Sequence, residues 1–232
     1  MSENRNRRAI SVPAAPAHSP VGIVVQMLLL VVCTAVFVWL WMLVAEHRTG
    51  AFDETVYSWF AAHLISPALT PFMKACTFLG SAWPLIIISL LMLAIVRNRR
   101  LGAAVCINLA LIFGLNTLFK EIVRRPRPSE HRIIQEWGYS FPSGHAMVNT
   151  AFYGFLIVLL WWFCRNVWLR WLGTVVLAAL IGIIIVSRVY LGVHYPSDVS
   201  AGFLFSVAYL IVFAVIVKPW IARSPNATAL RG

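Results

Sequence analysis

Charge is scarce in this chain. Only 12% of its 232 residues are Asp, Glu, Lys or Arg and 60% are hydrophobic, whereas a soluble domain is about a quarter charged and about half apolar. A single water-soluble globule is therefore excluded. Acidic residues are the scarcest, 8 Asp and Glu against 19 Lys and Arg, for a net charge of +11. Such a surplus suits nucleic acid, anionic lipid or a phosphorylated substrate. The basic residues stand in short clusters between long apolar runs, however, which argues against nucleic acid as a partner. Cysteine is also sparse. Cys33, Cys76, Cys106 and Cys164 lie in or beside apolar segments, with neither a pairing framework nor zinc-like spacing, and read as lipid-buried or core side chains. The first apolar run begins after some twenty polar residues and spans about 22–45. It exceeds the roughly 7–15 residues of a signal-peptide core, so a retained membrane anchor is expected. No internal repeat is present.

Long apolar runs are what the chain has in quantity. A crossing helix needs about 20 mainly apolar residues, and windows near 22–45, 80–96, 101–123, 143–164, 171–190 and 199–217 fit that requirement. The second window is short, and the preceding PFMKACTFLG either extends it or forms a half-buried helix of its own. The expected fold is all-α, a six-transmembrane helix bundle over residues 21–218. Residues 1–20 are expected to be a disordered cytoplasmic tail and 219–232 a loose one. Between the first two windows, Val56, Trp59, Phe60 and Leu64 recur at helical spacing opposite Asp53, Glu54 and Ser58. That is the pattern of a helix lying on the membrane surface.

Six crossings put both termini on one side, with the loops around 97–100 and 165–170. That side collects Arg5, Arg7, Arg8, Arg97, Arg99, Arg100, Arg165, Arg170, Lys218, Arg223 and Arg231, and Trp161, Trp162, Trp168, Trp171 and Trp220 gather at its boundary. By the positive-inside tendency it is cytoplasmic, and the opposite, extracytoplasmic face holds residues 46–70, 124–142 and 191–198. A multi-pass protein of the cell (inner) membrane is expected.

Three polar clusters interrupt the apolar chain: KEIVRRPRP at 120–128, FPSGH at 141–145 and SRVYLGVHYPSD at 187–198. The crossing count brings all three to the extracytoplasmic face. Lys120 and Arg188 are the last charges on otherwise apolar helices, and a charge inside a bilayer costs a few kcal/mol even on lenient scales. Each either snorkels to the interface or meets a compensating anion. With Arg127, held between two prolines, they make a cationic trio whose mutual repulsion argues for a bound phosphate. In FPSGH, Ser143 suits an N-cap and Gly144 permits close backbone approach, so the start of this helix is an anion site by geometry and dipole together.

His145 and His194 are the only two imidazoles in these clusters. An imidazole can attack when neutral and act as a general acid when protonated. Asp198 follows His194 by four residues, near enough to accept the proton of one ring nitrogen and leave the other to attack. Metal catalysis would want a richer ligand set. The outer loops offer Glu130, Glu136 and Asp198 without the spacing of a two-metal clamp, so neither metal nor other cofactor is expected.

Lys120 to Pro128 fits K-x6-RP, residues 142–145 are PSGH, and Ser187 to Asp198 fits SR-x5-H-x3-D. In these three motifs, and in its six-crossing layout, the chain resembles the type 2 phosphatidic-acid phosphatase superfamily. That superfamily includes bacterial undecaprenyl-pyrophosphate phosphatases and, more distantly, vanadium haloperoxidases. The resemblance implies a lipid phosphatase in which His194 attacks phosphorus, Asp198 orients its ring and His145 protonates the leaving oxygen. Lys120, Arg127, Arg188, Ser143 and the Gly144 amide would hold the phosphate oxygens. Arg124 and Arg125 lie outside the motif's fixed positions, and either bind a second phosphate or sit at the headgroup level. The expected substrate is a phosphorylated lipid, with undecaprenyl pyrophosphate ahead of phosphatidate, phosphatidylglycerol phosphate and a lipid A phosphate. A lipid phosphotransferase sharing the same histidine, and a non-catalytic headgroup-binding membrane protein, are the competing readings.

Overall fold

Helices start in this chain where the sequence supplies caps. Asn98 accepts hydrogen bonds from the Arg100 and Leu101 amides, Ser143 from that of Ala146, and Asn166 from that of Leu169. Each satisfies amides that a helix start leaves unpaired. The computed structural model describes residues 20–223, in which every regular element is helical. In order these are α1 (Pro20–Ala45), α2 (Gly50–His63), α3 (Thr70–Leu79), α4 (Ala82–Ile95), α5 (Arg99–Val123), α6 (Gly144–Phe163), α7 (Val167–Tyr190) and α8 (Pro196–Ala222).

Five of them, α1, α5, α6, α7 and α8, are each long and apolar enough to cross a membrane, and α3 with α4 makes a sixth candidate bent by 42°. PFMKACTFLG thus falls in a helix of its own, broken from α4 at Gly80 and Ser81. A Cβ at Gly80 would sit 2.8 Å from both the Asn149 amide and Ile184, so the break is pressed against α6 and α7. Between membrane helices, close packing must do what the hydrophobic effect does in water. At the α6–α8 contact, a Cβ on Gly202 would lie 3.0 Å from the Ser143 carbonyl oxygen. The main core joins Leu85, Ile112, Met147, Phe152, Phe155 and Ile184. Helix α1 adds Phe37, Leu40 and Val44 against Phe141 and Ala201, and turns most of its other side chains outward.

Two expectations need correction, and one falls outside the described residues. Helix α2 exists, but Asp53 is not on a solvated face: it is 3% exposed, because Arg125 and Ser197 draw it inward. Residues 219–222 of the expected tail are helical, since α8 continues through Pro219 to Ala222. A proline so near a helix end removes only one late hydrogen bond. The expectation for the first tail concerns residues 1–20, of which 1–19 lie outside the described part, as do 224–232, while Pro20 opens α1.

At one end of the bundle, Asn98 and Arg100 donate to the carbonyls of Ile221 and Trp220. The three polar clusters meet at the other end. There Gly192 makes the turn between α7 and α8 with φ of 66°, and a Cβ on it would collide with the His131 carbonyl. Left-handed backbone costs a residue with a side chain about 1–2 kcal/mol, and the collision adds to that. Gly192→Ala is therefore expected to lower the melting temperature of the protein in detergent. An unchanged melting temperature would show that the turn can be rebuilt without glycine.

Candidate active site

A helix end leaves its last carbonyls without intrahelical partners, and the break after α3 uses them. The Thr77 carbonyl accepts from His145 Nε2 at 3.1 Å, that of Leu79 from the Tyr153 hydroxyl at 3.2 Å, and that of Gly80 from Asn149 Nδ2 at 2.8 Å. His145, Asn149 and Tyr153 recur every four residues, so one face of α6 closes the break. A carbonyl can only accept, so Nε2 of His145 carries a proton.

His194 lies in the short α7–α8 connection and is 2% exposed. Arg127 Nη1 stands 3.0 Å from its Nε2. A guanidinium only donates, so Nε2 presents its lone pair and the proton of the neutral ring is on Nδ1. Nδ1 faces the Ser140 hydroxyl at 3.3 Å, which in turn donates to Asp198 Oδ2 at 2.5 Å. The direct separation of Nδ1 from Asp198 Oδ2 is 3.5 Å. The expected direct contact between ring and carboxylate is thus largely replaced by a hydroxyl from the residue just before FPSGH. Asp198 Oδ2 also accepts from the Tyr195 amide at 3.0 Å, which satisfies a donor just ahead of α8.

The cationic trio assembles as expected. Lys120, Arg127 and Arg188 line one cavity of about 680 Å³ with Gly144, His145 and His194. The cavity continues along apolar side chains of α4 and α5, among them Leu85, Ile86, Leu90, Leu109 and Phe113. All three cations are answered by one segment of the α5–α6 loop. Arg188 donates to the Glu136 carboxylate at 2.6 Å, Arg127 to the Trp137 and Gly138 carbonyls at 3.0 Å each, and Lys120 to the Tyr139 carbonyl at 2.7 Å. The second anchor of Arg188 is the Thr77 hydroxyl at 2.5 Å. Sequence reasoning missed Thr77, Ser140 and the pairing of Glu136. Nothing in their local patterns marks them, since each reaches the site only through tertiary packing.

Other expected residues lie around this cavity differently. Ser143 is fully buried and caps α6, so it does not line the cavity. Gly144 does line it, and a Cβ there would come within 3.1 Å of Asn116 Oδ1. Neither Arg124 nor Arg125 is placed for a second phosphate in that cavity. Arg124 is exposed and pairs with Glu121 at 3.6 Å. Arg125 is directed behind His194, at 2.6 Å from Asp198 and 2.8 Å from Asp53. Among the described residues, no three His, Cys, Asp or Glu side chains gather in a way that could hold a metal ion.

The profile of the PAP2 superfamily matches residues 101–222, more than half of the chain and all three polar clusters. The chain belongs to the PAP2 superfamily. It is 34% identical over 196 residues to phosphatidylglycerophosphatase B of Bacillus subtilis (strain 168), covering 78% of this chain and 91% of that protein. Undecaprenyl-diphosphatase of Sulfolobus acidocaldarius is 30% identical over 131 residues, 54% of this chain and 59% of its own length. The crystal structure of a transmembrane PAP2-type phosphatidylglycerolphosphate phosphatase from Bacillus subtilis superposes with a TM-score of 0.68 at 26% identity, covering 81% of this chain and 96% of that one. This PAP2 protein is thus a multi-pass membrane enzyme, a lipid phosphatase.

Burial first, then the charges of Arg188, Arg127 and Lys120, hold the His194 imidazolium well below the ordinary histidine range. The sign follows from what is disfavoured, the charged ring. His194 is therefore expected to remain neutral as pH falls through about 6.5, where an unperturbed histidine is half protonated, and to take up its proton only in more acid solution. Ring ¹⁵N shifts of the histidine-labelled protein in detergent check this. A His194 titration at or above pH ~6.5 would contradict the electrostatics.

Proposed function

We propose that this PAP2 enzyme hydrolyses the phosphate of a membrane lipid through a phosphohistidine on His194, without a metal ion. The observation that carries the proposal is the cavity in which a buried neutral imidazole, its lone pair outward, meets three cations at the head of an apolar groove. The phosphate would bind among Lys120, Arg127, Arg188 and the first amides of α6, displacing the Glu136 carboxylate and the loop carbonyls. Ser143 would support those amides as the cap. Nε2 of His194 forms a bond to phosphorus, and the bond from phosphorus to the lipid oxygen breaks. His145, doubly protonated for this step, donates the proton of its Nδ1 to that oxygen while its Nε2–H stays on the Thr77 carbonyl, so a neutral lipid alcohol departs and a neutral imidazole is left. Water then attacks the phosphohistidine, His145 takes a proton from it, and inorganic phosphate leaves. Asp198 stabilises the positive ring of the intermediate through Ser140.

The substrate favoured by this arrangement is a glycerolipid phosphomonoester of the phosphatidylglycerol phosphate type. Two observations support it over undecaprenyl pyrophosphate. One is the 91% coverage of the phosphatidylglycerophosphatase relative. The other is that Arg124 and Arg125 are directed away from the cavity, which leaves a single cationic cluster for one phosphate. Phosphate release from a panel of phosphatidylglycerol phosphate, phosphatidate and undecaprenyl pyrophosphate tests this, with the first expected to turn over fastest. The active face is assigned to the extracytoplasmic side of the inner membrane, because the basic loops occupy the opposite end.

His194→Ala is expected to abolish turnover and phosphate trapping on the protein. His145→Ala should lose about 10²–10⁴-fold on the lipid, and much less on p-nitrophenyl phosphate, whose leaving group needs little protonation. Labelled phosphate still trapped on the His194→Ala protein would overturn the assignment, and loss of activity in chelator restored by Mg²⁺ would overturn the metal-independent step. For the topology, Ser129→Cys is expected to react with an impermeant thiol reagent on intact cells and Asn166→Cys is not. The reverse pattern would invert the protein in the membrane.

A further inference from the structure

Behind His194, on the side away from the phosphate cavity, lies a second charged assembly, of which the mechanism above uses only Asp198. Asp53, Arg125 and Asp198 form a chain of two carboxylates bridged by one guanidinium. Arg125 Nη1 donates to Asp198 Oδ1 at 2.6 Å, and Nη2 donates to Asp53 Oδ2 at 2.8 Å and to the Thr49 hydroxyl at 2.9 Å. The Ser197 amide and hydroxyl both donate to Asp53 at 2.8 Å. The Arg125 guanidinium is stacked 3.9 Å above the Tyr195 ring. Asp53 is 3% exposed and Asp198 not at all.

An ionised carboxylate with no exposure to water is expensive unless an opposite charge and hydrogen bonds answer it. Asp198 has its hydrogen bonds on Oδ2, from Ser140 and the Tyr195 amide, but its charge partner within salt-bridge distance is Arg125 on Oδ1. His194 cannot be that partner in the resting enzyme, because its Nε2 accepts from Arg127 and the ring is neutral. The two oxygens of Asp198 are therefore divided: Oδ1 is held by the cation, and Oδ2 faces the histidine through the Ser140 hydroxyl. Asp53 reaches the same guanidinium from α2, the helix outside the bundle of crossings, and so both aims it and shares its charge.

We propose that Arg125, aimed by Asp53, is a positioning residue of this PAP2 phosphatase that keeps Asp198 ionised and turned toward His194. It would set the strength of the His194 nucleophile while touching neither phosphate nor lipid. The inference rests on the phosphohistidine reading of His194. Losing Arg125 leaves a buried carboxylate without its cation, and such a group takes up a proton at neutral pH. The ring of His194 then has no negative charge behind it until the pH is raised far enough to remove that proton. Losing the charge of Asp53 does the opposite, because the guanidinium then serves Asp198 alone.

Other titratable and charged side chains face this pair and are the same in every variant compared. Lys120 of α5, Arg127 and Glu136 of the α5–α6 loop, His145 of α6 and Arg188 of α7 lie on the phosphate side of His194. On the other side, His47 after α1, Glu54 of α2 and Glu130 and His131 of the α5–α6 loop line a cavity of about 360 Å³ with Arg125 and His194. Arg132 of the same loop acts electrostatically on Tyr195 and Arg127.

The experiment compares pH profiles of lipid dephosphorylation for the wild type, Arg125→Gln, Arg125→Lys and Asp53→Asn, with phosphate trapping on the protein in parallel. Arg125→Gln is expected to lower kcat by about 10²-fold or more, the scale of effects on a positioned acid–base group, with little change in KM, and to move the acid limb to higher pH. Arg125→Lys restores a positive charge and should return the limb to its wild-type position. Asp53→Asn should move it to lower pH. If Arg125→Gln does not fold, the Asp53→Asn limb decides: an unmoved or upward-shifted limb overturns the proposal. A uniform loss of rate in Arg125→Gln, with the limb in place, also overturns it, since a purely structural staple would do that. Failure of the underlying reading looks different, for then the active wild-type protein itself would carry no trapped phosphate.

Discussion

Three positive charges at the end of an apolar bundle set the terms for everything around them. Arg188 is 1% exposed, so neither water nor headgroups can carry its charge, and the protein has to supply acceptors. It does so with one short segment, the Glu136 carboxylate and the carbonyls of residues 137–139, which together answer Arg188, Arg127 and Lys120. A phosphate offers the same oxygens and the same sign of charge in a smaller volume. The resting site is in this sense complementary to the proposed ligand, whose binding would exchange one set of acceptors for another without leaving a cation bare. That economy matters because an uncompensated ion at membrane depth costs a few kcal/mol, a sizeable fraction of the roughly 5–15 kcal/mol that holds a domain together.

The break between α3 and α4 follows from the same constraint. An unbroken crossing helix satisfies its own carbonyls and offers nothing to neighbours. By stopping at Leu79 and restarting at Ala82, the chain exposes the carbonyls of Thr77, Leu79 and Gly80, and α6 meets them with His145, Tyr153 and Asn149. The irregular backbone is tolerated because it is buried in protein and lines a cavity. What it provides is a fixed acceptor for His145 and, through the Thr77 hydroxyl, a second anchor for Arg188.

Much of this was legible in the sequence, for identifiable reasons. Apolar length marks the crossing helices. The helix cap Ser143 falls where a polar residue precedes an apolar run, whereas Asn98 and Asn166 emerge as caps only in the fold, and the three polar clusters meet because the crossing count returns them to one end. Less legible were partners contributed by distant elements. Asp53 has the periodicity of an exposed face, and only the fold reveals that Arg125 reaches it. Ser140 stands beside the FPSGH cluster with no feature to separate it from a loop serine, yet its hydroxyl occupies the gap between His194 and Asp198. In the sequence Glu136 is one of three outer-loop carboxylates without the spacing of a metal clamp, and only the fold shows it as the partner of Arg188.

The hydrogen bond from Arg127 to Nε2 of His194 links binding to reactivity. In the resting enzyme the lone pair that would attack phosphorus is occupied by a guanidinium, which keeps the ring neutral and in one tautomer. Phosphate oxygens are stronger acceptors for a guanidinium than an imidazole nitrogen or a peptide carbonyl, because they carry charge and match its planar fork. In the proposed mechanism an arriving lipid phosphate would therefore draw Arg127 toward itself and uncover Nε2 in the same movement. On that reading, binding energy from the phosphate would be spent on exposing Nε2, so that its reactive form would be tied to the presence of a substrate, the kind of coupling in which binding contributes to rate as well as to affinity.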